Sequence, residues 1–312
     1  MSFYRGAFRI GIWLALLLPG YGMTSGCVHP NDAKNGLRTY ETNSASAKNT
    51  ETAPELLREI FHLDGTQAHL SRVQLVDAII SNALIKISAG LDPEAKPSDE
   101  HRRALQARLS EKIRKAYSKR ALSEEMVESW ARSADLTALA EIRTHLRSKI
   151  YQRYLARLTE VKSATGQRKL GVFLARTAKH GLKQERVNLA RRWLRATQEK
   201  EVLYLLSYDM SQEIFAAAKP LLKDWAGESY QSFQNDMDAR GDAFRTRIEK
   251  SLFYETLFAF DRFSLSEQEE LVTFWESRKG FSYVQKKMST LRDVLDRAHD
   301  RFRSEVALKS NP

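Results

Sequence analysis

Cysteine is almost missing from this chain of 312 residues: the single Cys27 excludes an intramolecular disulfide. Long apolar runs are missing after the N-terminal segment, which argues against a second membrane-spanning stretch. The seven histidines, at 29, 62, 69, 101, 145, 180 and 299, fall into no HExxH or other compact metal-ligand spacing. His62 and His69, with Asp64 between them, are the nearest pair, and Gly65 interrupts the helix that would align them. There is no Gly-rich phosphate loop and no G-x-S-x-G elbow, so no cofactor and no metal is expected. Strict apolar–polar alternation is scarce, and so are proline and glycine within the periodic segments, which speaks for helices over strands.

What is present begins at the N-terminus. Arg5 and Arg9 precede the run Ile10 to Pro19, a basic segment followed by an apolar one too short to span a bilayer comfortably, which is the pattern of an export signal. Thr24, Ser25 and Gly26 then lead into Cys27. This resembles the lipobox of bacterial lipoproteins, although Thr24 stands where the motif usually has Leu. The resemblance implies cleavage before Cys27 and lipidation of its sulfur, which removes the liability of a lone reactive thiol in an oxidising compartment. With Val28 rather than Asp after the cysteine, it implies delivery to the outer membrane, facing the periplasm. Residues 1–26 are thus expected to be a signal peptide. Residues 27–52, rich in Asn, Ser and Thr, have too little apolar surface to fold and are expected to form a tether.

The net charge of +11 would suit nucleic acid or any anionic surface. An exported chain meets anionic lipid, cell-wall polymer or an acidic protein partner first, so nucleic acid is not an expected partner. The excess concentrates at Arg168, Lys169, Arg176, Lys179, Lys183, Arg186, Arg191, Arg192 and Arg195, opposed within that stretch only by Glu185. Interleaved apolar residues make it read as an amphipathic helix pair with a basic outer face, which is either a solvated surface or a docking surface.

Beyond Pro54 the periods are helical. Leu70, Val73, Val76, Ile80, Leu84 and Ile87 form one stripe, with Gly90 and Pro93 as its stop. Ser98 or Asp99 should cap a helix that buries Leu105, Leu109, Ile113 and Tyr117. Leu139, Ile142, Leu146, Ile150, Tyr154 and Leu158 read as one longer stripe; Phe281, Val284, Met288, Leu291, Leu295, Ala298 and Phe302 read as another, packed against the protein's own helices. The expected fold is an all-α helical bundle, divided into helical domains over 53–185 and 186–312.

In Leu265 to Phe281, Ser266 with Glu269 has capping-box spacing, Leu271, Phe274 and Trp275 form an apolar face, and Gly280 is the expected helix stop. Phe274, Trp275, Ser277 and Gly280 resemble the C-terminal motif of the bacterial domain of unknown function 2059, although Arg278 stands where that motif often has proline. The resemblance implies an exported all-α protein and transfers no catalytic residue. Ser163 and Gly166 repeat the Ser277–Gly280 spacing, which suggests two divergent copies in tandem. The expected function is a lipid-anchored binding or scaffolding component of the envelope. The alternatives are a cell-wall or lipid hydrolase whose carboxylate pair is not evident in the sequence, and an apolar-ligand carrier.

Overall fold

The computed structural model describes residues 51–71, 83–85, 87 and 98–307, the side chains of 223–229 excepted. The expected signal peptide, Cys27, nearly all of the tether and most of the stripe from Leu70 to Ile87 lie outside the described residues, although Leu70, Leu84 and Ile87 themselves are buried. The fold is all-α, with no strand among the described residues. No described helix is long and apolar enough to cross a membrane.

Helix α1 (Ala53–Leu63) starts where Glu55 accepts from both the N–H (2.9 Å) and the hydroxyl (2.8 Å) of Thr52, with Pro54 in the first turn, where a missing N–H costs nothing. It buries Leu56, Leu57, Ile60 and Phe61. Gly65, at φ 79°, opens the short α2 (Thr66–Leu70). Ser98 caps α3 (Asp99–Ala116) by accepting from the His101 N–H, and the expected edge from Leu105 to Tyr117 is buried. Helix α4 (Lys119–Ala131) follows a Ser118 cap.

The single stripe expected from Leu139 to Leu158 is two helices, α5 (Leu136–Leu146) and α6 (Lys149–Val161). Ser148 accepts from the Tyr151 N–H and starts the second, so the apolar period survives a bend that the period alone cannot report. Helix α7 (Ala164–His180) ends at Gly181, φ 75°, and α8 (Gln184–Thr197) ends at Gln198, the one non-glycine residue at positive φ among those described. The expected boundary at 185/186 falls inside α8. From Thr52 onward the described residues form one compact unit rather than two.

Helix α9 (Glu199–Tyr204) passes through a π-turn (Leu205–Asp209) into α10 (Met210–Phe260). These 51 residues are helical along their length, yet the Tyr208 hydroxyl donates to the Met237 carbonyl at 2.7 Å and the Tyr230 hydroxyl to the Phe215 carbonyl at 2.8 Å. A straight helix rising about 1.5 Å per residue would hold either pair more than 20 Å apart. The chain therefore doubles back between Phe215 and Tyr230 as an antiparallel hairpin. Pro220 lies in that interval, and proline both removes a backbone donor and crowds the preceding turn.

Two helices complete the fold, α11 (Leu265–Glu276) and α12 (Arg278–Ala307). The capping box is Ser264 with Glu267, not Ser266 with Glu269: Ser264 Oγ accepts from the Glu267 N–H, and Glu267 accepts from the Ser264 N–H at 2.8 Å. Helix α12 is the axis of the unit and packs on α3, α4, α5, α8, α10 and α11. Val284, Met288, Leu291, Leu295, Ala298 and Phe302 are buried along it as expected, whereas Phe281 is 53% exposed.

Candidate functional site

The nine cations expected to share a docking face are divided by the fold. Lys169 pairs with Glu160 at 2.6 Å and Arg176 with Asp261 at 2.9 Å. Arg186 donates to the carbonyls of Phe260 (2.8 Å) and Phe263 (3.1 Å), satisfying the open C-terminal end of α10. Arg192 forks onto Glu276 (3.0 and 2.6 Å) and reaches Glu269 (3.0 Å), stapling α8 to α11. Hydrogen bonds to Glu276 and then Glu269 raise its basicity, and its guanidinium holds the Glu276 carboxyl below the usual range, helped by the field of Arg195. Arg191 lies over the Phe253 ring at 5.8 Å. Arg168, Lys179 and Lys183 have no ion pair or side-chain hydrogen bond among the described residues. Arg168 and Lys179 lie on one exposed stripe of α7 with Ala175 and Val172, the last 71% exposed.

A buried polar cluster lies elsewhere, where the turn after α1 meets α12. Asp64 is buried and accepts from the Thr66 N–H (2.8 Å), the Tyr283 hydroxyl (2.7 Å) and Lys287 Nζ (3.0 Å). Burial alone would push its carboxyl up; the Lys287 charge and these hydrogen bonds outweigh that and hold it below its ordinary value. Nearby, His69 pairs with Glu199 at 3.4 Å, and Lys287 adds its field to Glu199. Asp64, His62 and His69 do not assemble a metal site, and no group of three metal-ligating side chains comes together among the described residues. Three donors from both ends of the chain converge on one carboxylate, so the cluster ties the first turn of the fold to its axis.

The two Ser-x-x-Gly segments prove to be matching corners. At the first, Ser163 Oγ accepts from the Gly166 N–H (2.9 Å) and donates to the Glu160 carbonyl (2.8 Å). At the second, Ser277 Oγ accepts from the Gly280 N–H (3.2 Å) and donates to the Phe274 carbonyl (2.6 Å). Gly280 therefore does not stop α11; it stands in the first turn of α12. A Cβ there would lie 2.4 Å from the Phe274 carbonyl oxygen, and one at Gly166 would lie 1.8 Å from that of Glu160. Behind the second corner His145 stacks on Phe274 (3.5 Å, 4°), and Trp275 packs on His145, Tyr151, Trp193 and Tyr283. Burial pushes the His145 imidazole down to about 4. The indole N–H groups of Trp193 and Trp275 are buried without a hydrogen-bond partner among the described residues, and edge-on ring contacts are their remaining compensation.

The hairpin holds a trough. Tyr204, Tyr208, Gln212 and Ala216 recur at four-residue spacing on its first arm; Gln234, Asp238 and Asp242 do so on its second, beside Gly241. With Glu213 they line an open hollow of about 430 Å³. Tyr204 and Tyr208 stack at 5.0 Å, and Gly241 lets the Tyr208 ring approach the second arm, a Cβ there lying 2.9 Å from its hydroxyl. A second hollow of about 350 Å³, lined by Ala217, Pro220, Arg303, Val306 and Ala307, shares Glu213 and Ala216 with the first. Burial raises the Asp209 carboxyl on the neighbouring π-turn; Arg245 opposes this and Glu201 adds to it. The sequence alone does not single this site out. Its one local signal is the Tyr204–Tyr208 spacing, which reads equally as core until the reversal of α10 is known.

No family model, curated protein or solved structure matches the chain.

Proposed function

We propose that this is an exported, lipid-anchored protein of the bacterial envelope whose helical body serves as a binding or scaffolding component without chemistry of its own. The observation that carries the reading is the N-terminal order of basic residues, short apolar run, small residues and Cys27. The anchor holds the chain at a membrane, and the Asn/Ser/Thr-rich stretch after it sets the body away from that surface. The resemblance of Leu265 to Phe281 to the domain of unknown function 2059 supports export and an all-α body. The partners the charge favours are anionic: the exposed stripe of Arg168 and Lys179 on α7 can add to the anchor at about 1 kcal/mol per basic residue near an anionic leaflet.

The test is the intact mass of the protein from envelope fractions, wild type and Cys27→Ser. Cleavage before residue 27 with an acyl mass lost in the variant is the expected result. An unmodified thiol or an uncleaved N-terminus would overturn the reading and return the hydrolase and carrier alternatives to equal standing.

A further inference from the structure

We propose that the trough of the α9–α10 hairpin is a binding site for a basic peptide segment in which an arginine or lysine adjoins an apolar side chain. Charge complementarity is the first argument. The larger hollow is lined by Glu213, Asp238 and Asp242 and by no lysine or arginine, on a chain whose net charge is +11. A local field of the opposite sign to the whole molecule draws in a cation that the rest of the surface repels.

The second argument is the wall. Two stacked tyrosine rings beside carboxylates are a receptor for a guanidinium or ammonium group, and the molecule already uses one of these rings in that way: the Arg245 guanidinium lies 4.1 Å from the centre of Tyr204. Asp242 and Gln234 have no partner among the described residues, so an acceptor and an amide line the hollow unspent. Glu213 is already paired with Arg303 at 2.5 Å and closes one end.

The third argument is the continuation. Past Ala216 the lining is apolar apart from the Glu213–Arg303 ion pair, with Ala217, Pro220, Val306 and Ala307 around a hollow that takes an aliphatic side chain beside that pair. A single cation would use half of the trough; a cationic residue next to an apolar one uses both halves.

The proposal deepens the binding reading above and does not need the anchor, so peptide affinity and the mass at Cys27 fail independently. The test is fluorescence anisotropy of a short labelled peptide carrying adjacent Arg and Leu residues, titrated with the full chain in detergent. Controls replace Arg by Glu or Leu by Ser. Binding that salt weakens, that both control peptides lose, and that falls about tenfold in Asp238→Asn/Asp242→Asn is expected, each factor of ten being about 1.4 kcal/mol. Ala216→Trp, at an exposed position where the hollows meet, should abolish binding with the circular dichroism unchanged. Equal binding of the Glu peptide, or affinity untouched by these variants, would overturn the proposal. Self-association that the same variants abolish, with no peptide binding, would also overturn it and make a second copy the occupant.

Discussion

The corner between α6 and α7 and the corner between α11 and α12 use the same local device and lead to different ends. Each has a serine that accepts from an N–H three residues on and donates to a carbonyl three residues back, and each has a glycine pressed against that carbonyl. The first faces solvent and charge, with Glu160 pairing to Arg157 and Lys169, and sends α7 along the surface. The second lies against the His145, Phe274 and Trp275 rings and sends α12 through the middle. Six residues past Ser277 comes Tyr283, and ten past it Lys287, both bonded to Asp64. A corner sets an angle; the apolar stripe and the buried tie that follow decide what the angle is worth.

The largest effect should come from removing the tie. Asp64→Ala leaves Lys287 and Tyr283 without their buried acceptor and should cost about 3–5 kcal/mol in urea unfolding. A loss under about 1 kcal/mol would mean that the second corner owes nothing to this cluster.

Next is Gly280→Ala, whose new Cβ meets the Phe274 carbonyl with the aromatic centre fixed behind it, at about 2–3 kcal/mol. Gly166→Ala makes an even closer local contact, but α7 lies at the surface and buries only Gly166, Leu170 and Phe173, so a small shift relieves it at a smaller cost, and about 1 kcal/mol is expected. If the surface corner proves as costly as the central one, local geometry outweighs the surroundings and the comparison fails.

Acid should also separate the corners. The His145 imidazole is held near 4 in the fold by burial, while the unfolded chain takes up a proton near the ordinary value of about 6.5. The unfolded state thus binds more protons across that window, and stability falls as pH drops from about 6.5 to 4. His145→Phe should flatten this part of the pH profile in thermal melts, whereas Gly166→Ala should leave its slope unchanged.

The smallest effect is expected on the outer stripe of α7. Arg168→Glu with Lys179→Glu should shift stability by less than about 0.5 kcal/mol while weakening retention on anionic vesicles. Arg192→Glu is a poor probe of that surface, because it also breaks the staple to Glu269 and Glu276.

Much of this was legible residue by residue. The edge from Leu105 to Tyr117 and the seam from Val284 to Phe302 are buried as their periods required, and the Ser98 cap stands where expected. The Ser163–Gly166 and Ser277–Gly280 spacings were visible, but their meaning was not: Gly280 reads as a helix stop until the Phe274 carbonyl is known to press on it. Ser266 and Ser264 both have an acid three residues on, and local spacing does not choose between them. The candidate trough was illegible, because Tyr204 and Tyr208 reach Asp238 and Gly241 only through the reversal of α10.

What the sequence by itself determined is the all-α character, the buried face of most helices and single caps such as Ser98, since periodicity and capping act within a few residues. Tertiary structure alone decided that one unit forms across residues 185 and 186, that Asp64 meets Tyr283 and Lys287, and that four of nine cations bond to other parts of the same body, Lys169 and Arg176 among them while staying exposed. Such contacts join groups far apart along the chain, and many partners satisfy the same charge or hydrogen bond locally. Which one is met depends on the packing of the whole body and the loop entropy it must overcome.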